Sequence, residues 1–417
     1  MTKLLDGTRH STFSILYFCT VIIFAASASM FVRLYGNIHQ MTYGSVFLLL
    51  FTILFIVYNR VKFTKRFFLS VIVLLMYSLI TSLQNGVVNF IWIYKWLLAL
   101  VIAFSICSVF EKKIFVTYET IIYRLSIISL VFWLFHILFP SQILSLFKVI
   151  SLVPFSLDKE TLNIIFYSVN NFDTEDIFSF TIRNAGFAWE PGAFSCFLIL
   201  AIFCNILRTN FSLRKNPSLI CFLICLCTAQ STTGYIVFLL LLLCWLMTQK
   251  KWKYLLIILP IVILFVNIPF VYEKILEQIY TYQNFELSDL SYKGVNDVNR
   301  FIAFQISLDE FKLHPLFGLG GYDDGTYLSQ QGYEMVISSG IGRLLAMYGV
   351  FGVLVFFSSL VMSARRVSSA FQTPNGFLLF IPILGMMFSY NMWLLPMYVV
   401  FWLFGVYSDR KYLTIYR

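Results

Sequence analysis

Charged residues are scarce in this sequence of 417 residues, because Asp, Glu, Lys and Arg together make up only 12% of it. A typical soluble protein contains about 25% charged residues. Hydrophobic residues make up 59% of the chain and aromatic residues 19%. Runs such as SVFLLLFTILFIVY and GYIVFLLLLLCWLM are, with their flanks, long enough to cross a hydrocarbon layer of about 30 Å as helices. The composition excludes a soluble globular protein and predicts an all-α polytopic membrane protein.

Sequence motifs for nucleotides and metals are also missing. The sequence contains no Gly-rich phosphate loop, dinucleotide fingerprint or zinc motif. The eight cysteines all lie inside apolar runs, and we interpret them as small hydrophobic residues rather than as disulfide partners or zinc ligands. We therefore expect no cofactor, no metal ion and no direct use of ATP or of a nucleotide sugar.

Apolar windows divide the chain into about twelve predicted membrane spans. They lie at 13–32, 43–58, 67–84, 88–109, 120–140, 190–207, 217–230, 234–248, 254–271, 338–363, 376–391 and 393–407. The predicted organisation is five spans in 1–140, a first long loop at 141–189, four spans in 190–271, a second long loop at 272–337, and three spans with a tail in 338–417. Loops of this length are usually functional or disordered, and these two contain aromatic residues that a disordered segment would lack. We expect the functional site in these two loops.

The distribution of basic residues predicts the orientation. Connections on the side of the two termini contain 19 of the 30 basic residues and four acidic residues, a net charge of +15. The opposite side has a net charge of −7. Because Lys and Arg concentrate in cytoplasmic connections, this asymmetry predicts cytoplasmic termini and two outer long loops. The overall charge of +10 therefore reflects membrane topology and does not indicate binding to nucleic acid.

The segment RNAGFAWEPGAF, residues 183–194, is the first candidate site. Pro191 suits the first turn of a helix and keeps the preceding Glu190 out of the α region, so we predict that the helix begins directly after Glu190. The positive end of that helix, together with Arg183, would favour a phosphate group. The alternative is an ion pair between Arg183 and Glu190 that only stabilises the loop.

A second candidate is the segment RFIAFQISLDEFKLHPLFGLGG, which begins at Arg300. Phe301, Phe304, Leu308 and Phe311 recur at helical spacing and predict an amphipathic helix at the membrane interface. His314 ends it, about 21 Å from Arg300 along a straight helix, so these two residues would have separate roles. A histidine at a helix C-terminus is also explained by the helix dipole alone.

Three further polar features have both a functional and a structural interpretation. In the STTGY segment, Ser231 is expected to cap the eighth span. Arg343, near the outer end of the tenth span, is either a functional residue or a side chain that reaches the interface. Asp323 and Asp324 form a solvated turn more readily than a metal site.

The order of these motifs resembles the O-antigen polymerase and O-antigen ligase superfamily of bacteria, especially Wzy-type polymerases of surface polysaccharides. The shared features are an Arg-Gly-Glu-Pro segment entering a central span, the STTG turn, then R…F..HPLFGLG and YGVFG at the start of a late span. The resemblance covers about residues 180–355 and depends on the order of short motifs that are all predicted to face outward.

The resemblance implies a membrane glycosyltransferase with the fold type of polyprenyl-phosphate-dependent enzymes (GT-C-like), located in the bacterial inner membrane with a periplasmic site. Its substrate would be an undecaprenyl-pyrophosphate-linked oligosaccharide, used for O-antigen, capsule or exopolysaccharide. Arg183 and Arg300 would bind the donor pyrophosphate. Arg343 and Trp189 would be further substrate-binding residues. Glu190 or His314 would be the catalytic base. Membrane lipid, a flippase and a chain-length regulator would be partners, and nucleic acid would not.

One departure favours a polymerase over a ligase. Ligases of this superfamily carry a histidine shortly before a Gly-x-x-Gly turn, and here Ser338 and Ser339 precede Gly349 and Gly352. Two alternatives remain open: a flippase, although the halves show no internal repeat, and a non-catalytic component of the same machinery.

Overall fold

The structure is a computed structural model. It describes residues 11–26, 41–150, 161–163, 165–170, 182–251, 272, 276, 279–285, 295–322, 325–336 and 339–408. The α-helices whose bounds the structure describes are, in chain order, α1 Thr12–Ala26, α2 Met41–Asn59, α3 Lys65–Asn85, α4 Phe90–Phe110, α5 Lys113–Leu138, α6 Pro140–Ile150, α7 Pro191–Thr209, α8 Pro217–Ala229, α9 Thr232–Thr248, α10 Arg300–Leu313, α11 Tyr327–Gln330, α12 Gly340–Phe371, α13 Phe380–Met387 and α14 Pro396–Tyr407. A 3₁₀ helix, Pro374–Leu379, precedes α13.

Short strands accompany the helices in the two predicted outer loops. β1 Thr161–Asn163 pairs antiparallel with β2 Ser168–Asn170. β3 Val295–Asp297 pairs in parallel with β4 Glu334–Val336. The second pairing brings residues 295–297 and 334–336 of the second long loop together, so the chain between them returns to β3 before α12 begins.

Among the described residues, five helices are long and apolar enough to cross a membrane: α3, α4, α5, α7 and α12. Shorter apolar helices, such as α8, α9 and α14, lie at other predicted spans. The predicted ninth span, 254–271, lies outside the described residues. The structure thus confirms a largely helical polytopic membrane protein, and the number of twelve crossings stays a prediction.

Helix α7 forms the centre of the bundle. Every residue from Pro191 to Leu207 is buried, and α5, α8, α9 and α13 pack around it. This explains why its sequence is apolar on all sides instead of amphipathic. The N-terminal end of α7, where Glu190 lies, is consequently enclosed by other elements.

A loop inserted against a break in α12 explains two of the sequence motifs. Gly349 (φ 60°, ψ −163°) interrupts the helix, and residues 315–320 of the HPLFGLG segment lie beside it. The N–H groups of Leu319 and Gly320 donate to the carbonyls of Ala346 and Met347 over 3.1 and 2.8 Å. In return, the N–H of Val350 donates to the carbonyl of Pro315 over 2.8 Å.

These reciprocal bonds have a physical reason. A broken helix within a membrane protein leaves backbone groups without partners, and such a break is tolerated where other protein groups bind them. Tyr77 of α3 adds a hydroxyl that donates to the carbonyl of Met347 over 3.0 Å. The indole N–H groups of Trp92 and Trp96 donate to the hydroxyl of Tyr348 over 2.8 and 3.0 Å. The HPLFGLG segment and the break at Gly349 therefore pack α3, α4, α12 and the second loop against one another.

Helix α10 confirms the helix predicted from Arg300. Phe301, the first residue of the apolar stripe predicted for the membrane interface, is exposed, and the buried residues are Ile302, Ala303, Ser307 and Glu310. Close approach to α12 requires small residues, and Ser307 lies directly against Gly342 of that helix. The helix therefore contacts the bundle through a face that differs from its phenylalanine stripe, and the position of that stripe at the membrane interface stays a prediction.

The opposite end of the bundle contains an ion pair with a buried carboxylate. Glu119 of α5 is 3% exposed, and the partly exposed Arg208 of α7 donates to its two carboxylate oxygens over 2.6 and 3.0 Å. Asn205 and Ser218 donate to the same carboxylate over 2.7 and 2.8 Å. Because the buried carboxylate is paired and hydrogen-bonded, it joins α5, α7 and α8 at this end without an uncompensated charge.

Candidate active site

The start of α7 forms one wall of the site. Pro191 occupies the first helical turn, and Glu190 is the residue before it, with an extended backbone at φ −155° and ψ 160°. Its side chain does not cap the helix. The sequence-based prediction for Pro191 and Glu190 is confirmed, and the Glu190 carboxylate is left for contacts outside α7.

The start of α9 lies beside the start of α7. The predicted cap is confirmed, because the Ser231 side chain accepts a hydrogen bond from the N–H of Gly234 over 3.1 Å. The hydroxyls of Ser195 in α7 and Ser231 are 3.2 Å apart. Two helix N-termini, each with a partial positive charge, therefore meet at one place.

Arg300 reaches this place from α10. Asn299 caps α10 by accepting hydrogen bonds from the N–H groups of Phe301 and Ile302. The guanidinium of Arg300 donates from Nη1 to the hydroxyl of Thr233 over 3.4 Å and from Nη2 to the hydroxyl of Tyr390 over 3.2 Å. The same guanidinium lies over the Tyr390 ring, 5.0 Å from its centroid.

Tyr390 connects Arg300 with the start of α7. Its hydroxyl lies so close to Gly192 that a Cβ at that position would coincide with it, so the contact requires glycine there. The Glu190 carboxylate interacts with the same hydroxyl. Tyr390 is buried. Trp189 packs edge-on against the Tyr390 ring at 6.5 Å between centroids.

Arg183 lies on the other side of the α8–α9 turn. Its Nη2 donates to the carbonyl of Gln230 over 3.1 Å, three residues before the Thr233 that Arg300 contacts. Both arginines thus contact the turn that contains the STTG motif. Among the described residues, no ion pair joins Arg183 to Glu190.

Two other predicted site residues have different positions. His314 lies at the far end of α10, where its Nδ1 is 3.1 Å from Nε2 of Gln84 and its Nε2 is 3.8 Å from the Glu310 carboxylate. Arg343 lies in the first turn of α12, whose first residue, Gly340, packs against the backbone of Tyr390. The structure therefore places the start of the helix that contains Arg343 beside Tyr390, and it places His314 at the other end of α10, outside the site. Asp323, Asp324 and Ser338 lie outside the described residues.

Sequence reasoning missed Tyr390 and Thr233. Thr233 was assigned to a capping segment without a role of its own, and Tyr390 lies in the unremarkable sequence SYNMW between α13 and α14. A polar aromatic residue at the outer end of a predicted span is a weak signal. A contact across 90 residues is not visible in a local pattern.

The arrangement suits an anionic ligand next to a proton acceptor. Two guanidinium groups and two helix N-termini favour phosphoryl oxygens, and a carboxylate that is not consumed by a helix cap can accept a proton. The neighbouring Trp189 offers an aromatic surface. Together these groups can bind a phosphate-bearing molecule and activate a hydroxyl beside it.

Comparison with known families identifies one match. Residues 217–357 match the family model described as O-antigen ligase, about a third of the chain. The match confirms the resemblance to the O-antigen ligase and polymerase superfamily. It includes Thr233, Arg300 and Arg343, whereas Arg183, Glu190 and Tyr390 lie outside it. No curated protein matches the chain.

Proposed function

We propose that the protein is a polymerase of lipid-linked oligosaccharide repeat units. It would transfer the growing glycan from undecaprenyl pyrophosphate to the sugar of the next lipid-linked unit. The main support for this proposal is that Arg300, Tyr390 and Glu190 lie together where α7, α9 and α10 begin. Arg183 contacts the turn beside them. This site combines the residues that a pyrophosphate leaving group and an attacking hydroxyl require.

The reaction assigns a role to each group. A hydroxyl oxygen of the acceptor sugar attacks the anomeric carbon of the donor, and the bond from that carbon to the pyrophosphate oxygen breaks. Arg300 and Arg183 stabilise the negative charge that develops on the departing pyrophosphate. Glu190 accepts the proton of the attacking hydroxyl. We assign the base to Glu190 because it shares Tyr390 with Arg300, while His314 lies at the other end of α10.

The polymerase is favoured over a ligase by the start of α12. At the place where ligases carry a histidine, Ser339 is buried and caps α12 by accepting a hydrogen bond from the N–H of Gly342 over 3.2 Å. A capping serine supplies no base at this position. The ligase and the flippase remain as alternatives for the experiment.

Lipid-linked products in a deletion strain distinguish these functions. We expect single repeat units attached to their acceptor and no long chains, restored to long chains by the wild-type gene. Free polymer that accumulates without transfer would indicate a ligase. Repeat units that never reach the outer face would indicate a flippase.

Polymerisation by the purified protein tests the chemistry directly. We expect it to extend lipid-linked repeat units in the presence of a chelator, because the described residues include no group of His, Cys, Asp and Glu suited to a metal ion. Chain length on a gel is the measurement. Complete loss in chelator that an added divalent metal reverses would contradict this and direct attention to Asp323 and Asp324.

The proposed reaction requires the site to face the periplasm, with both termini in the cytoplasm of a bacterial cell. Reporter fusions at Lys251 should report the cytoplasm, and fusions near Gly294 should report the outer side, as the positive-inside distribution predicts. The opposite result at either position would overturn this orientation. A flippase and a chain-length regulator would act with the protein in the same pathway.

A further inference from the structure

The hydroxyl of Tyr390 lies between two opposite charges. Arg300 donates to it over 3.2 Å, and the Glu190 carboxylate interacts with it from the α7 side. A phenolic hydroxyl can accept one hydrogen bond and donate another, so it can serve a guanidinium and a carboxylate simultaneously. Among the described residues, no ion pair joins Arg300 to Glu190.

We propose that Tyr390 is a positioning residue that keeps the Arg300 guanidinium and the Glu190 carboxylate apart, so that both remain available to the substrate. The inference rests on the proposed function, because it assumes that Arg300 binds pyrophosphate and that Glu190 accepts a proton. It adds a residue outside the part of the chain that matches the family.

The separation matters because carboxylate and phosphate compete for the same guanidinium geometry. An arginine binds either group through two parallel N–H bonds. If Glu190 occupied the fork of Arg300, the arginine could not bind the donor pyrophosphate, and the bound carboxylate would be a weaker base. A neutral hydroxyl between the guanidinium and the carboxylate can hydrogen-bond to both, and neither charge is neutralised by the other.

Tyr390 is itself held in place from three directions. Its hydroxyl contacts Gly192, its backbone carbonyl packs against Gly340 at the start of α12, and Trp189 contacts its ring. The Arg300 guanidinium covers the ring face. Removing the hydroxyl alone therefore retains the ring packing and removes the spacer, which makes phenylalanine the informative substitution.

The experiment measures binding of undecaprenyl pyrophosphate to the purified full-length protein in detergent. We expect Tyr390→Phe to weaken binding about tenfold or more, since Arg300 would pair with Glu190 and lose a charge-assisted contact with the ligand. The double variant Tyr390→Phe, Glu190→Gln should bind about as well as Glu190→Gln alone, because no carboxylate remains to occupy the arginine. A residue that only stabilised the fold would not show this recovery.

Tyr94→Phe is the matched control. Tyr94, near the start of α4, has a buried hydroxyl without a hydrogen-bond partner in the described part of the chain, so its removal should leave binding unchanged. The proposal is overturned if Tyr390→Phe binds like wild type, or if Glu190→Gln fails to restore binding. A wild-type protein that does not bind the ligand refutes the proposed function itself, a result distinct from the other two.

Discussion

The Glu190→Gln and Arg183→Lys variants are expected to reach the membrane at wild-type levels and to form at least about a hundredfold less polymer. Glutamine keeps the shape of Glu190 and removes the proton acceptor, while lysine keeps the charge of Arg183 and removes its planar fork. If the two residues act as proposed, each variant loses a contact made in the transition state, and a few kcal/mol there corresponds to a factor of a hundred or more. Chain length and total product measure the effect, with protein quantified on the same membranes.

Asp309→Asn provides the matched control for the charge change. Asp309 lies on α10 of the same predicted outer side, is half exposed, and pairs with Lys312 over 2.7 Å. An exposed ion pair contributes about 0 to 1 kcal/mol, so its loss should alter polymer formation by less than about fivefold. Near-normal polymer from both Glu190→Gln and Arg183→Lys would show that these residues stabilise the loop only. The site would then have to be sought around Arg300, His314 and Arg343.

The Gly349→Ala variant is expected to lose most of its folded protein. Gly349 adopts φ 60° and ψ −163°, a region that essentially glycine alone occupies, and a strained backbone there costs about 1 to 3 kcal/mol. A Cβ would also lie 2.5 Å from the carbonyl oxygen of Leu316. It would force the inserted loop away from α12 and break the reciprocal hydrogen bonds. The amount of protein in the membrane and its melting temperature in detergent are the measurements.

Gly86→Ala separates backbone strain from overlap. Gly86 ends α3 with φ 68°, and an added Cβ would meet no atom within 4 Å. The loss of stability in Gly86→Ala should come only from the strain of a left-handed backbone at alanine, about 1 to 2 kcal/mol. Equal losses in Gly86→Ala and Gly349→Ala would mean that the inserted loop contributes little to the stability of α12.

Local sequence signals predicted the starts of the helices that build the site. Pro191 after Glu190, the Ser231 cap and the helix from Arg300 each depend on residues within a few positions of one another, and the structure confirms them. The sequence also placed Arg183 and Arg300 in the same outer region. It did so through the resemblance and the loop lengths, because no local rule relates two residues more than a hundred positions apart.

The features that escaped prediction depend on long-range packing. The hydrogen bonds between the HPLFGLG loop and the break at Gly349 join segments about thirty residues apart. Each of the two motifs, taken alone, predicts only a turn. The face of α10 that contacts α12 gave no hydrophobic signal, because Ser307 lies against Gly342 of α12 through its small size. No local sequence pattern identifies Tyr390, because its contacts are with residues that lie far from it in the sequence.

The hydrogen bonds around Glu119 have a consequence for the alignment of the helices. Arg208 and Asn205 of α7 and Ser218 of α8 donate to this one carboxylate of α5 over 2.6 to 2.8 Å. Donors on two helices can reach the same carboxylate only when the three helices keep one position along their axes relative to one another. The carboxylate therefore fixes the register of α7, the helix at whose other end Glu190 lies.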